Sequence, residues 1–167
     1  MRTNKEITEC YEKYADSVYR VAYLYMKNMA DAEDMMQSVF EKYIDTDTEF
    51  FNENHLKAWL ITVTKNTCLN NLRSAWKSKR DDLEQVLSSY TPACNDTYNL
   101  GSVTFSEIKK LKRHYQVTLY LFYYEGYPIK DIASIMERPE STVQTWLSAA
   151  RRQLKKRLGG MMNEESI

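Results

Sequence analysis

Glycine and proline are scarce in this sequence, with four glycines and three prolines among 167 residues. Both residues are typical of tight turns, and β-rich folds need many turns, so their scarcity argues against an all-β fold. The chain is instead rich in leucine, methionine, tyrosine, lysine and glutamate. This composition predicts an all-α protein. The length allows one or two small domains with compact helical cores.

Long hydrophobic runs are also absent. No segment approaches the roughly 18 consecutive apolar residues that a membrane-spanning helix requires. The first six residues lead into no apolar signal segment. We therefore expect a cytoplasmic protein without membrane insertion.

Cysteine and histidine are few and far apart. The residues are Cys10, Cys68, Cys94, His55 and His114. Three widely spaced cysteines suggest neither a disulfide framework nor a zinc site, so we predict no metal. The sequence also lacks a nucleophile paired with a base, a glycine-rich phosphate loop and a recognisable carboxylate pair. We predict no enzymatic activity and no cofactor.

Basic residues are distributed unevenly, although the formal net charge is zero. One run without an acidic residue comprises Lys57, Lys65, Arg73, Lys77, Lys79 and Arg80. A second comprises Arg151, Arg152, Lys155, Lys156 and Arg157. Two basic patches in a neutral protein indicate possible nucleic-acid binding, although any single run is more often a solvated helix face.

Apolar residues recur at three- and four-residue steps in the N-terminal part of the chain, which is the spacing of one helix face. The pattern predicts a first helix over about residues 5–28. A second helix would be capped by Asp31, and a third would carry Leu56 and run past Arg73. The polar segment from Asp45 to Asn54 is predicted to be a loop.

Residues 81–104 differ from the segments on either side of them. They contain four acidic residues and no basic one, and they are rich in serine, threonine and asparagine. Such a segment is typical of an interdomain linker. The predicted organisation is therefore a domain at 1–80, an acidic linker at 81–104, a second domain at 105–160 and a tail at 161–167.

The C-terminal part has the pattern of a helix-turn-helix. One helix is predicted to stop at Gly126, and a short helix follows with Pro128 at its first position. After a turn at Glu137–Glu140, a last helix starts at Ser141, which can form a capping box with Gln144. Its apolar seam is Val143, Leu147, Ala150, Leu154 and Leu158. The opposite face is polar and basic, which favours DNA binding over a plain helical hairpin.

The helix-turn-helix alone does not distinguish a repressor, a two-component output domain and a sigma factor, but longer segments do. Two segments resemble region 2 of extracytoplasmic-function (ECF) sigma factors, in the sigma-70 family: ADAEDMMQSVFEKYI (30–44) and HLKAWLITVTKNTCLNNLRSAWKSKR (55–80). A third resembles their region 4: LYLFYYEGYPIKDIASIMERPESTVQTWLSAARRQLKKRL (119–158). The resemblance covers most of the chain, in the family's order, and implies two small helical domains joined by a flexible linker.

In region 2, the resemblance implies two surfaces. Asp34, Gln37 and Glu41 would dock on the clamp helices of the polymerase's largest subunit. The loop before the third helix, together with that helix, would capture the non-template strand of the minus-ten element. The helix positions implied are Asn66, Asn70, Arg73, Lys77, Lys79 and Arg80. Trp59 matches a core position, whereas Trp76 would either stack on a base or shelter the helix end.

In region 4, the resemblance implies a recognition helix that binds the minus-thirty-five element. Its DNA-binding residues would be Ser141, Thr142, Gln144, Thr145, Arg151, Arg152 and Lys156. The sequence departs from the family pattern at Gln144, Trp146 and Ala149, where basic residues are common. The promoter sequence therefore cannot be carried over from the family.

The resemblance implies a sigma factor that binds core RNA polymerase and directs transcription initiation at specific promoters. The implied partners are core RNA polymerase, promoter DNA and, as for many family members, an anti-sigma factor. The alternative is a stand-alone helix-turn-helix regulator whose N-terminal helices serve dimerisation or ligand sensing. A third hypothesis is a sigma-like adaptor that binds polymerase without opening DNA. The basic third helix with its asparagines favours the sigma factor, because a sensing domain does not need it.

Overall fold

A computed structural model describes residues 1–78 and 107–157. Every regular element in these two ranges is helical, which confirms the all-α prediction. The chain divides into two compact units, Met1–Asn95 and Asp96–Ile167. The predicted linker at 81–104 and the tail at 161–167 lie outside the described residues.

The first unit contains three helices, which we call α1 (Asn4–Met26), α2 (Met29–Asp45) and α3 (Glu53–Ser78). Helix α1 begins with a capping box, in which the Thr3 hydroxyl accepts a hydrogen bond from the Glu6 amide at 3.2 Å. The Glu6 carboxylate in turn accepts one from the Thr3 amide at 2.7 Å. These reciprocal bonds satisfy two of the amides that have no partner inside the helix.

Helix α2 starts earlier than predicted. Asn28, and not Asp31, is its cap, because the Asn28 side-chain oxygen accepts a hydrogen bond from the Asp31 amide at 2.8 Å. Asp31 lies in the first turn, where a negative charge is favourable beside the helix N-terminus. The following loop is also shorter than predicted, spanning 46–52, since Asn52 accepts from the His55 amide at 2.8 Å as α3 begins.

The core of the first unit lies where its three helices meet. Its buried residues include Val18 of α1, Val39 of α2 and Leu60 of α3, each with no exposed surface. The half-buried Trp59 packs against this cluster, with its ring 5.4 Å from that of Phe50. This confirms Trp59 as a packed aromatic residue. The core fixes which sides of α2 and α3 face solvent.

The second unit contains α4 (Arg113–Leu119), a π-helical turn that continues it (Tyr120–Tyr124), α5 (Ile129–Met136) and α6 (Glu140–Arg157). Helix α5 follows a bend at Gly126, whose φ of +74° lies in the left-handed region that glycine tolerates. The prediction that the preceding helix ends before this glycine is confirmed.

The cap predicted for the recognition helix is wrong. Helix α6 begins at Glu140, and the amides of Thr142 and Val143 donate to the Pro139 carbonyl at 3.0 and 3.2 Å. Proline suits a position before the first turn because it has no amide proton to satisfy. Pro128 likewise precedes α5 instead of occupying its first position. The seam prediction is confirmed within the described range, since four of its members are buried: Val143, Leu147, Ala150 and Leu154.

Candidate nucleic-acid and partner surfaces

An acidic stripe runs along the solvent-facing side of α2. Asp34, Gln37 and Glu41 are all exposed, opposite the buried Met35 and Val39. The Gln37 amide donates to the Glu41 carboxylate at 3.1 Å. Carboxylates in such a stripe accept strong hydrogen bonds from a partner's arginines. We call Asp34, Gln37 and Glu41 the α2 stripe.

A second stripe lies on the distal half of α3. Asn66, Asn70, Arg73 and Lys77 follow one another at steps of four, three and four residues, so they share one face of the helix. Asn66 is half-buried and the other three are exposed. The predicted residues Lys79 and Arg80 lie outside the described residues. We call Asn66, Asn70, Arg73 and Lys77 the α3 stripe.

Two further residues of α3 modify this surface. Trp76 is 58% exposed beside the α3 stripe, so its ring is accessible to a ligand. Lys65, in contrast, is only 4% exposed, although it belongs to the basic run. Its spacing from the buried Ile61 and Cys68 places it on the inner side of the helix. Lys65 therefore does not contribute to the exposed basic surface.

The loop at 46–52 presents an aromatic ring that the sequence reasoning missed. Phe51 is 92% exposed, and its ring stacks on that of His55 with 5.3 Å between centroids. The Phe51 amide donates to His55 Nδ1 at 3.2 Å, which fixes the backbone beneath the ring. The neighbouring Asp47 and Glu49 are exposed. An accessible ring in a loop that also exposes two carboxylates suits stacking on a base better than attraction of a phosphate.

Most of the predicted DNA-binding residues lie on the outer face of α6 and are exposed. Five of them are exposed and Thr142 is half-buried; the five are Ser141, Gln144, Thr145, Arg152 and Lys156. Exposed Lys155 and Arg157 extend the basic end of this face. The neutral side chains thus precede the basic ones along one helix, as in a helix whose N-terminal part meets base edges.

Arg151 differs from the other predicted DNA-binding residues. It is half-buried, and its Nε donates to the Tyr123 hydroxyl at 2.6 Å. Its guanidinium also lies 5.4 Å from the ring centre of Phe122 and 5.5 Å from that of Tyr123. Arg151 therefore connects α6 to the π-helical turn, which limits the donors it can offer to DNA.

Trp146 is also directed into the second unit. Its ring centre lies 4.7 Å from that of His114 on α4, and Trp146 is half-buried. Trp146, one of the three residues that depart from the family's basic pattern, thus serves packing. Burial lowers the pKa of His114 below its ordinary value near 6.5, and the nearby Lys112 lowers it further.

Other kinds of site are not found in the part of the chain that the structure describes. No group of three or more histidine, cysteine, aspartate and glutamate side chains could bind a metal ion among residues 1–78 and 107–157. Cys10 and Cys68 are buried thiols, and burial raises the pKa of Cys10. Within the same ranges, no helix has the length and apolar character needed to cross a membrane.

Comparison with known families matches both units. The family model of sigma-70 region 2 matches residues 10–78, and that of sigma-70 region 4 matches residues 106–154. The RNA polymerase sigma factor YlaC of Bacillus subtilis is 25% identical over the full length of both chains. The ECF RNA polymerase sigma factor SigW of the same organism is 24% identical, covering 87% of this chain and 84% of its own.

A solved structure shows the same fold. The sigma factor RpoE from Bartonella quintana, solved in complex with the anti-sigma factor NepR, superposes with a TM-score of 0.73 at 20% sequence identity. The match covers 95% of this chain and 99% of that one. The second chain in that structure, NepR, is a partner of RpoE.

Proposed function

The chain belongs to the ECF group of the sigma-70 family, and from this membership we propose how its two units divide the work of transcription initiation. Sigma factors are initiation factors and not catalysts, and this chain is one of them. It binds core RNA polymerase and directs initiation at specific promoters. We infer that it has no enzymatic activity of its own and acts in the cytoplasm, where bacterial polymerase and promoters meet.

One observation carries this function above all others. Region 2 and region 4 both match, in family order, and each unit has exposed polar residues within the matched range. A stand-alone regulator would explain the helix-turn-helix of the second unit. It would leave both stripes of the first unit without a role.

Polymerase docking is proposed for the α2 stripe. Its two carboxylates are exposed on the side of α2 opposite the core, so they can approach a partner without unfolding the unit. Charge-assisted hydrogen bonds to arginines would supply both affinity and register. Gln37 and Glu41 are already joined by a hydrogen bond in the free chain.

Strand capture is proposed for the α3 stripe and the loop at 46–52. Opening a duplex costs unstacking, and a protein offsets this by stacking an extruded base and contacting the backbone of the freed strand. Phe51 offers the stacking surface, while Arg73 and Lys77 offer positive charge. Lys79 and Arg80 would add to this charge. Asn66 and Asn70 offer amide groups that can bond base edges.

Minus-thirty-five binding is proposed for the outer face of α6. Its first turns present Ser141, Gln144 and Thr145, which can bond base edges in the major groove. Arg152 and Lys156, further along, would contact phosphates. Since RpoE was solved with the anti-sigma factor NepR, we also propose that an anti-sigma factor regulates this chain.

Reconstitution tests the function directly. The chain would be mixed with core RNA polymerase from Bacillus subtilis and supplied with a library of genomic fragments. We expect initiation at a defined set of promoters only when chain and core enzyme are both present. Tight, sequence-specific duplex binding by the free chain at physiological salt would instead support the stand-alone regulator, because a neutral chain gains little from counterion release.

A further inference from the structure

Arg2 lies against the loop that carries Phe51. Its Nε donates to the Tyr43 carbonyl at 2.9 Å, and its Nη2 donates to the Thr48 carbonyl at 2.6 Å. The guanidinium also lies over two rings, 4.3 Å from the centre of Tyr43 and 5.1 Å from that of Phe50. One side chain thus contacts the end of α2, the middle of the loop and the aromatic residue before Phe51.

Arg2 supplies a hydrogen-bond donor and a positive charge at the C-terminal end of α2, where both are favourable. Tyr43 is among the last four residues of α2, whose carbonyls have no donor within the helix. A positive charge at this end is also favoured by the helix dipole. The planar guanidinium can donate along its edge while it stacks on its faces, which lysine cannot do. Arg2 therefore suits this place through its shape as well as its charge.

The position of Arg2 is itself fixed by α1. Arg2 immediately precedes the cap residue Thr3, whose amide and hydroxyl both bond to the Glu6 carboxylate, at 2.7 and 2.9 Å. The backbone that carries the guanidinium is thereby tied to the first turn of α1. The second half of the loop is fixed separately to the start of α3. The Phe51 amide donates to His55 Nδ1, and the Asn52 side chain accepts a hydrogen bond from the His55 amide. Arg2 supplies the corresponding attachment for the first half.

We propose that Arg2 is a positioning residue for strand capture, which fixes the loop at 46–52 so that the Phe51 ring projects into solvent, ready to stack on an extruded base. The inference rests on the proposed role of this loop. Arg2 itself does not contact the base. It acts through Thr48 and Phe50, and the gain is that the loop is ordered before the strand arrives.

The first measurement is hydrogen exchange on the free full-length chain. Arg2→Gln removes the charge and the fork but keeps much of the side-chain length, and we expect exchange of amides in the loop at 46–52 to rise at least about tenfold, with the second unit unchanged. Lys5→Gln is the matched control, because Lys5 is an exposed cation near the same terminus that pairs with Glu9. Unchanged loop exchange in a folded Arg2→Gln variant would overturn the proposal.

If Arg2→Gln destabilises the whole first unit, Arg2→Lys serves in its place. Lysine keeps the charge but cannot bond two carbonyls while stacking on two rings. We expect wild-type helicity with loop exchange raised several-fold. Wild-type loop exchange would show that charge alone suffices, contrary to the proposal.

The second measurement is a double-mutant cycle in the holoenzyme on duplex promoter. Phe51→Ala and Arg2→Gln should each reduce open-complex formation, by roughly tenfold, and the double variant should be no worse than Phe51→Ala alone. Fully additive losses would overturn the proposal, since Arg2 would then act elsewhere. If Phe51→Ala has no effect, the strand-capture role of the loop fails too. If only Arg2→Gln has no effect, that role stands and the positioning inference alone is wrong.

Discussion

The two units build their candidate DNA surfaces in different ways. In the second unit the surface is one face of α6, opposite a seam of four buried residues, Val143, Leu147, Ala150 and Leu154. In the first unit it combines part of α3 with a loop whose shape depends on Arg2, which lies 41 residues from Tyr43 in sequence. A surface on one helix is set by local periodicity, whereas a loop is set by contacts from distant segments.

The surfaces also differ in charge. The outer end of α6 exposes four cations, namely Arg152, Lys155, Lys156 and Arg157. The loop of the first unit exposes Asp47 and Glu49 together with Phe51, and the exposed cations lie on the distal half of α3. Phosphate-rich duplex should therefore favour the second unit, while unpaired bases should favour the first.

Charge reversal of the α2 stripe should have the largest effect, because it replaces the proposed attraction to the polymerase with repulsion. Asp34→Lys with Glu41→Lys should weaken binding to core polymerase on the order of a hundredfold, since like charges would then face each other. Stability should change by no more than about 0.5 kcal/mol per exposed site. Titration of labelled chain with core polymerase measures the affinity, and circular dichroism checks the fold.

The control for this variant is Glu12→Lys with Asp16→Lys. Both residues are exposed on α1, so the net charge changes equally without touching the α2 stripe. The control should bind core polymerase like wild type. Wild-type affinity in a folded Asp34/Glu41 variant would mean that docking occurs elsewhere.

Removal of the two basic clusters should separate the two units by the step that each serves. Changing Lys77, Lys79 and Arg80 to alanine should leave polymerase docking intact but reduce open complexes, seen as weaker permanganate reactivity of unpaired thymines. Changing Arg152 and Lys156 to alanine should instead weaken the closed complex, with the salt slope falling by roughly 1 for each phosphate interaction that the substitutions remove.

A pre-melted template sharpens this contrast. It should rescue the Arg152/Lys156 variant, because strand capture then no longer depends on recruitment through the second unit. It should not rescue the Lys77/Lys79/Arg80 variant. The same defect in both variants on both templates would contradict the division of labour between the units.

The contrast between the units also explains which features the sequence could predict. The seam of α6 and its exposed face follow from the periodicity of one helix. The burial of Lys65 could have been found in the same way, from its spacing to Ile61 and Cys68. The exposure of Phe51 could not be predicted in this way, because a loop has no period that separates inner from outer residues. A pair of adjacent phenylalanines in a polar loop was the available signal.

Helix starts were harder to predict than helix faces. Several polar residues near a boundary can each serve as a cap, and the backbone path of the preceding turn decides among them. Asn28 caps α2 in place of Asp31 because Lys27, the C-cap residue that follows α1, has a φ of 67°, which turns the chain directly into α2. The Arg2 contacts had no local signal, since their partners are more than 40 residues away in sequence.

Replacement of Arg151 should separate helix anchoring from DNA contact in the second unit. If Arg151 mainly anchors α6, Arg151→Ala should lower the free energy of unfolding by about 1–2 kcal/mol, because the hydrogen bond to Tyr123 and the ring contacts are removed. The salt slope of promoter binding should stay the same. Arg152→Ala is the matched comparison, with a slope lower by roughly 1 and little change in stability. A lower slope for Arg151→Ala would restore it as a phosphate contact.

Acid should weaken the second unit slightly through His114, and this is the smallest effect expected. Burial against Trp146 lowers the pKa of His114 below its ordinary value near 6.5, so the folded chain favours the neutral ring. Well above pH 6.5 the ring is neutral in both the folded and the unfolded chain, and its contribution to stability is fully present. As the pH falls below 6.5, the unfolded chain binds a proton before the folded chain does, so the free energy of unfolding decreases until the lowered pKa is reached.

The variant His114→Gln removes this titration. Urea unfolding of the full chain on both sides of pH 6.5 should therefore give a weaker pH dependence for the variant than for wild type. Parallel curves would show that the packing of His114 on α6 does not restrain its protonation.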